Sequence, residues 1–116
     1  MLISTGFVLL QLFLFADVIK TTNQRVITEK TTAMAQELSL GLSPVGVAWE
    51  IVRRERPDIE LYHRDCYHPS YAGSYLSAAV AYLTIFKEPF KADTPVRLDP
   101  EVARYLREVA ERVVLK

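Results

Sequence analysis

The chain has 116 residues, enough for one domain or for part of a larger one. Half of the residues are hydrophobic and 24% are charged, which excludes a disordered tail or a low-complexity linker and predicts a buried core. The 14 basic and 14 acidic side chains give a formal net charge of zero, so we expect no nucleic-acid partner.

Residues 1–19 form an apolar amino-terminal segment to which no role is assigned. Its most hydrophobic part, 6–19, has an uninterrupted apolar run shorter than the roughly 20 residues that span a bilayer. No cation precedes this run, and Leu14 and Phe15 are too large for a signal-peptide cleavage site after Ala16. We therefore expect a buried strand or helix. An alternative interpretation of the whole chain is a noncatalytic small protein that uses residues 6–19 for membrane attachment or self-association.

The stretch between residues 17 and 57 predicts two helices joined by a short connection. The first is amphipathic, and Gly41 is expected to end it. Its inward positions are predicted to be Ile27, Thr31, Met34 and Leu38. Residues 40–46 have the length of a brief buried strand or of a turn from strand to helix. The second helix ends before Pro57, and the run of charged residues at 53–56 is typical of a solvated helix end.

Two further helices are predicted in the second half of the chain. Ser70 can cap a helix that runs to about Phe86 and is apolar nearly all round, which indicates burial on several sides. Residues 87–99 form a loop. Asp99 followed by Pro100 is a typical helix start. The inward positions of this last helix are predicted to be Val102, Leu106, Val109 and Val113.

The residues between these pairs of helices carry the candidate chemistry. Asp65 and His68 are three positions apart, so in a turn the Asp65 carboxylate can reach Nδ1–H of His68. That contact would hold one tautomer and leave Nε2 to act as a base. Pro69 disfavours helical geometry at His68, so the imidazole is expected on a loop ahead of the helix, where it can face a cleft.

Several neighbouring residues allow other interpretations. A metal site built from the His, Cys and Asp side chains of 63–68 would place four ligands within six residues, which strains tetrahedral geometry. We therefore expect no metal. Cys66 is interpreted as a spacer in preference to a nucleophile, and Ser70 as a helix cap. Trp49 is interpreted as a core residue, and Tyr67 as a candidate border of the cleft.

The residues from Asp65 onward resemble a known family. The run DCYHPSYAGSYLSAAVAYLTIF, residues 65–86, is similar to the last motif block of SGNH/GDSL-type hydrolases, in which Asp-x-x-His-Pro-Ser precedes a small-residue helix. The similarity extends upstream through PVGVAW, residues 44–49, and downstream through LDPEVARYLREVAERVV, residues 98–114. It covers residues 20–116.

This resemblance implies a fold and a reaction. The implied fold is α/β, a three-layer α/β/α (flavodoxin-like) sandwich, of which residues 20–116 would be a mostly helical carboxy-terminal part. The implied reaction is hydrolysis of an acyl ester, or of an acetyl ester on a carbohydrate, through a Ser-His-Asp mechanism that requires no cofactor or metal. By the resemblance, His68 is the general base and Asp65 is its orienting partner.

The chain also departs from this family. The family's nucleophile lies in a Gly-Asp-Ser block, and its oxyanion donors include a Gly and the Asn of a Gly-x-Asn block. The 116 residues contain no Gly-Asp-Ser, and Asn23 is their sole asparagine. The chain therefore resembles a truncated enzyme that is inactive alone. A sheet without its first strands would leave an apolar edge uncovered, so self-association is also expected.

Overall fold

The computed structural model describes residues 24–65, 68–91 and 95–116. Within these ranges the chain forms four helices, α1 (Gln24–Glu37), α2 (Val45–Glu55), α3 (Tyr71–Phe86) and α4 (Pro100–Val114). The described residues form no strand, and an isolated antiparallel bridge joins Tyr62 to Pro69. None of the described helices is both long and apolar enough to cross a bilayer. The prediction for the apolar segment 1–19 lies outside the described residues.

The expected α/β, flavodoxin-like fold is wrong, because the described residues form a small all-helical unit. Residues 40–46, expected to be a brief strand or a turn into the next helix, show the reason. The Leu40 amide donates to the Ala35 carbonyl at 2.8 Å, and the Val45 amide donates to the Ser43 carbonyl at 2.8 Å. These bonds are made within local turns and not to a neighbouring strand. Self-association was expected from the uncovered edge of such a sheet, and the described residues contain no sheet edge.

The helix starts of α3 and α4 are confirmed with their capping residues. The Ser70 hydroxyl accepts a hydrogen bond from the Gly73 amide at 3.1 Å. The Asp99 carboxylate accepts from the amides of Glu101 at 2.9 Å and Val102 at 3.4 Å. Each bond satisfies a donor of the first helical turn that has no partner within the helix.

The end of α1 differs from the prediction. The helix stops at Glu37, ahead of the expected stop at Gly41, and Ser39 takes a left-handed conformation with φ 55°. Leu38, predicted to face inward, follows the helix and is 59% exposed. Ala35 is buried in its place.

The core lies between α2, α3 and α4, which pack against one another, while α1 packs on α2. Its fully buried aliphatic side chains are Val45, Val52, Leu61, Leu76, Val80, Leu83, Leu106 and Val109. Burying one such side chain contributes about 1.5–3 kcal/mol. Leu61 is the member that lies outside the helices, so it ties the connection between α2 and α3 to this core.

The carboxy-terminal end of α2 is more than the solvated surface that its charges predicted. The Glu55 carboxylate accepts hydrogen bonds from the Tyr105 hydroxyl at 2.9 Å and from the Arg112 guanidinium at 2.8 Å. These bonds, to Arg112 first, lower the pKa of Glu55. Burial and the bond to Glu55 raise the pKa of Tyr105 to about 12. The contacts therefore fasten α2 to α4.

Candidate functional site

The candidate site lies in the connection between α2 and α3, in residues 61–70, which we call the 61–70 loop. The two ends of this loop are joined by backbone hydrogen bonds. The His63 amide donates to the His68 carbonyl at 2.7 Å, and the Ser70 amide donates to the Leu61 carbonyl at 2.9 Å. The chain thus reverses direction between Tyr62 and Pro69, and Asp65 lies at the reversal.

Asp65 holds His68 through both of its carboxylate oxygens. Oδ2 lies 2.6 Å from His68 Nδ1, and Oδ1 accepts from the His68 backbone amide at 3.0 Å. The contact that the spacing predicted is therefore formed. An ionised carboxylate only accepts hydrogen bonds, so in this contact Nδ1 carries the proton. The second bond fixes the backbone of the same residue, which restricts the ring's position as well as its tautomer.

The pair is open to solvent. The His68 side chain is 69% exposed and that of Asp65 is 43% exposed. Exposed ion pairs stabilise a fold little, because solvent screens them and because both side chains lose rotamer freedom. The contact is thus suited to orienting an accessible imidazole. The arrangement can do what a base and its orienting partner do, namely accept a proton at Nε2 while the carboxylate balances the imidazolium charge.

Ser70 connects the 61–70 loop to α3. Its hydroxyl donates to the Glu60 carbonyl at 2.7 Å and accepts from the Gly73 amide at 3.1 Å. Its interpretation as a helix cap is therefore confirmed. The same hydroxyl also reaches back to the residue just before the loop, a contact that the sequence pattern did not predict.

Gly73 allows α3 to approach the loop closely. A β-carbon at this position would collide with the Leu61 carbonyl oxygen and would lie 2.8 Å from Cζ2 of Trp49. Sequence reasoning missed this role. A signal was present, since Gly73 is the sole glycine in a helix that is apolar nearly all round, and such glycines often mark a close backbone approach.

Trp49 is a buried residue that contacts the elements on both sides of the site. It is 3% exposed, which confirms its interpretation as a core residue. Its indole N–H donates to the Ser77 hydroxyl at 3.1 Å, and that hydroxyl donates to the Gly73 carbonyl at 2.9 Å. Its ring also meets Tyr62 edge-on, with centroids 4.9 Å apart. Trp49 therefore links α2, α3 and the 61–70 loop.

Tyr62 shapes the side of the loop that faces α2. The Arg53 guanidinium lies over its ring, 5.6 Å from the centroid. Burial raises the pKa of Tyr62, and the nearby charge of Arg53 opposes that rise. The Tyr62 hydroxyl therefore stays protonated over the physiological pH range.

The remaining candidates of this region have different outcomes. His63 is exposed, and its backbone is part of the loop closure. Cys66 and Tyr67 lie outside the described residues, so their interpretations as a spacer and as a border of the cleft stay predictions. Among residues 24–65, 68–91 and 95–116, no group of three or more His, Cys, Asp or Glu side chains could hold a metal ion.

A cavity of about 670 Å³ lies elsewhere, at the start of α4. It is lined by Pro95, Val96, Leu98, Pro100, Glu101, Ala103, Arg104 and Arg107. Asp65 and His68 are not among these described lining residues, so this cavity is not the cleft expected beside the imidazole.

Comparison with known proteins assigns the chain to no family. No protein-family model, no curated protein and no solved structure matches the chain. The resemblance to SGNH/GDSL-type hydrolases therefore stays a prediction that depends on the motif around Asp65 and His68.

Proposed function

We propose that Asp65 and His68 are the orienting acid and the general base of a serine-type ester hydrolase of the SGNH/GDSL kind. The substrate would be an acyl ester, or an acetyl ester of a carbohydrate. The observation that carries the proposal is the 2.6 Å contact between His68 Nδ1 and Asp65 Oδ2 on an exposed loop. The proposal takes no support from the overall fold, which is helical over the described residues.

The chemistry would follow from this tautomer. With Nδ1–H directed to Asp65, Nε2 of His68 accepts the proton of a serine hydroxyl as its oxygen attacks the ester carbonyl. The imidazolium then donates that proton to the leaving alkoxide, and an acyl-serine remains. Water, deprotonated by the same nitrogen, hydrolyses the acyl-serine and returns the serine hydroxyl. Asp65 stays ionised throughout and stabilises each imidazolium.

The serine of this reaction would come from a Gly-Asp-Ser segment, which the 116 residues do not contain. Ser70 is the nearest serine in sequence, but its hydroxyl is already used to bond Glu60 and Gly73. A base without its nucleophile and oxyanion donors has little means to stabilise a tetrahedral intermediate. We therefore expect the chain alone to hydrolyse p-nitrophenyl acetate at the background rate and to resist labelling by a fluorophosphonate.

Completing the site tests the proposal. The DNA next to the coding region is read for a Gly-Asp-Ser block, and the polypeptide that it encodes is expressed together with this chain. The complete site should hydrolyse p-nitrophenyl acetate, and His68→Ala should lower kcat/KM by about a thousandfold or more.

His63→Ala is the matched control, since it removes the other exposed imidazole of the same loop. It should leave the activity within about twofold of wild type. Equal loss in both variants, or undiminished turnover in His68→Ala, would show that His68 is not the base. Labelling of the chain alone by a fluorophosphonate would point to a local nucleophile instead.

A further inference from the structure

We propose that Ser70 is a positioning residue for the Asp65–His68 pair and not only a helix cap. Its importance for catalysis rests on the function proposed above. A cap needs one contact, from the side-chain oxygen to an amide of the first turn, and the Gly73 bond supplies it. The bond that Ser70 donates to the Glu60 carbonyl, at 2.7 Å, has no part in capping.

The hydrogen bond from the Ser70 hydroxyl to the Glu60 carbonyl joins the two ends of the 61–70 loop. Leu61 follows Glu60 and is anchored in the core, with 1% of its surface exposed. Its carbonyl accepts from the Ser70 amide at 2.9 Å, so consecutive carbonyls bond the hydroxyl and the amide of the same serine. Ser70 thereby holds the incoming side of the loop at the start of α3.

The Asp65–His68 pair needs this support from elsewhere. Its side chains are 43% and 69% exposed, and an exposed ion pair cannot by itself offset the entropy of ordering a loop. His68 lies two residues before Ser70, and its carbonyl accepts from the His63 amide at 2.7 Å. If the two ends of the loop separate, the hydrogen bond from the His63 amide to the His68 carbonyl is lost, and Asp65 and His68 no longer face each other in register.

Three substitutions separate positioning from capping. Ser70→Thr keeps a hydroxyl that donates and accepts. Ser70→Asp keeps a good capping acceptor but cannot donate to the Glu60 carbonyl. Ser70→Ala loses both contacts. The measurements are amide hydrogen exchange at His63 and the NMR resonance of the His68 Nδ1 proton, which is assigned by its absence in His68→Ala.

The Ser70→Asp variant should exchange the His63 amide about fivefold faster than wild type, the change expected from the loss of one net hydrogen bond. It should also lose the Nδ1 proton resonance while α3 keeps its exchange protection. An added carboxylate slows the intrinsic base-catalysed exchange, so faster exchange reports opening of the loop, and Ser70→Ala, which adds no charge, separates the lost hydrogen bond from repulsion of the Glu60 carbonyl. Ser70→Thr should match wild type, and Ser70→Ala should behave as Ser70→Asp does at His63.

Wild-type exchange and an intact Nδ1 resonance in Ser70→Asp would reduce Ser70 to a cap and overturn the proposal. If Ser70→Asp does not fold, the Thr and Ala variants decide, because equal acceleration in both would show that the hydroxyl is not responsible. These readouts need no turnover. A failed esterase assay with the expected exchange pattern would therefore reject the function and leave the positioning role intact.

Discussion

Gly73 lies against the carbonyl oxygen of Leu61 so closely that no β-carbon fits between them. This approach brings the first turn of α3 onto the residue that anchors the 61–70 loop in the core. The same glycine lies against the Trp49 ring and accepts a hydrogen bond from Ser77 through its carbonyl. The placement of the candidate pair thus depends on a residue without a side chain.

We expect Gly73→Ala to destabilise the protein by about 1–3 kcal/mol, because the added methyl group forces the backbone of Leu61 and α3 apart. Helix propensity alone would predict the opposite sign, a gain of up to about 1 kcal/mol. Urea unfolding measures the difference. Ser74→Ala, at an exposed position of the same helix, is the control and should be nearly neutral. A stabilised Gly73→Ala variant would contradict the close approach.

The buried hydrogen bond from Trp49 to Ser77 should couple the two residues energetically. In a double-mutant cycle of Trp49→Phe and Ser77→Ala, we expect a coupling free energy of about 1 kcal/mol, the typical net value of such a bond. Thr84→Val is the matched control, since the Thr84 hydroxyl bonds the Val80 carbonyl within α3. Its effect should add to that of Trp49→Phe, and additivity in both cycles would argue against the contact.

The tyrosine that fastens α4 to α2 should make the protein sensitive to alkali. The pKa of Tyr105 is raised from 10.0 to about 12 by burial and by its bond to Glu55. Between these two values the unfolded chain loses the proton first, so this contribution to stability is complete below pH 10 and disappears as the pH rises to about 12.

The measurement is the free energy of unfolding in urea between pH 8 and pH 12, compared with Tyr105→Phe. The variant should lose less stability over the alkaline range, because phenylalanine does not titrate. Tyr62, whose pKa burial also raises, contributes equally to both proteins. Identical pH profiles would show that folding does not raise the pKa of Tyr105.

The candidate pair should separate stability from activity. We expect Asp65→Asn to change the free energy of unfolding by no more than about 0.5 kcal/mol, because the pair is exposed. The proposed function predicts that the same substitution in a complete site lowers kcat by about four orders of magnitude, since an amide stabilises neither the tautomer nor the imidazolium. Activity close to wild type would mean that His68 works without Asp65.

Local patterns in the sequence predicted the helices and the contact within the candidate pair. Asp99 and Pro100 mark the start of α4, and Ser70 marks the start of α3, because a capping contact involves only residues two or three positions apart. Asp65 and His68 met as expected for the same reason. The α/β sandwich was wrong because it was taken from a resemblance and not from pairing between strands of this chain.

What holds the candidate pair in place depended on the tertiary structure. The approach of Gly73 to Leu61, and the bond from Trp49 to Ser77, join residues that are distant in the chain and meet only after the helices pack. No periodicity encodes such contacts, since they depend on how far one backbone can approach another. The sequence alone therefore determined where α3 and α4 begin and which side chains form the pair. Packing of α2 against α3 decided how that pair is supported.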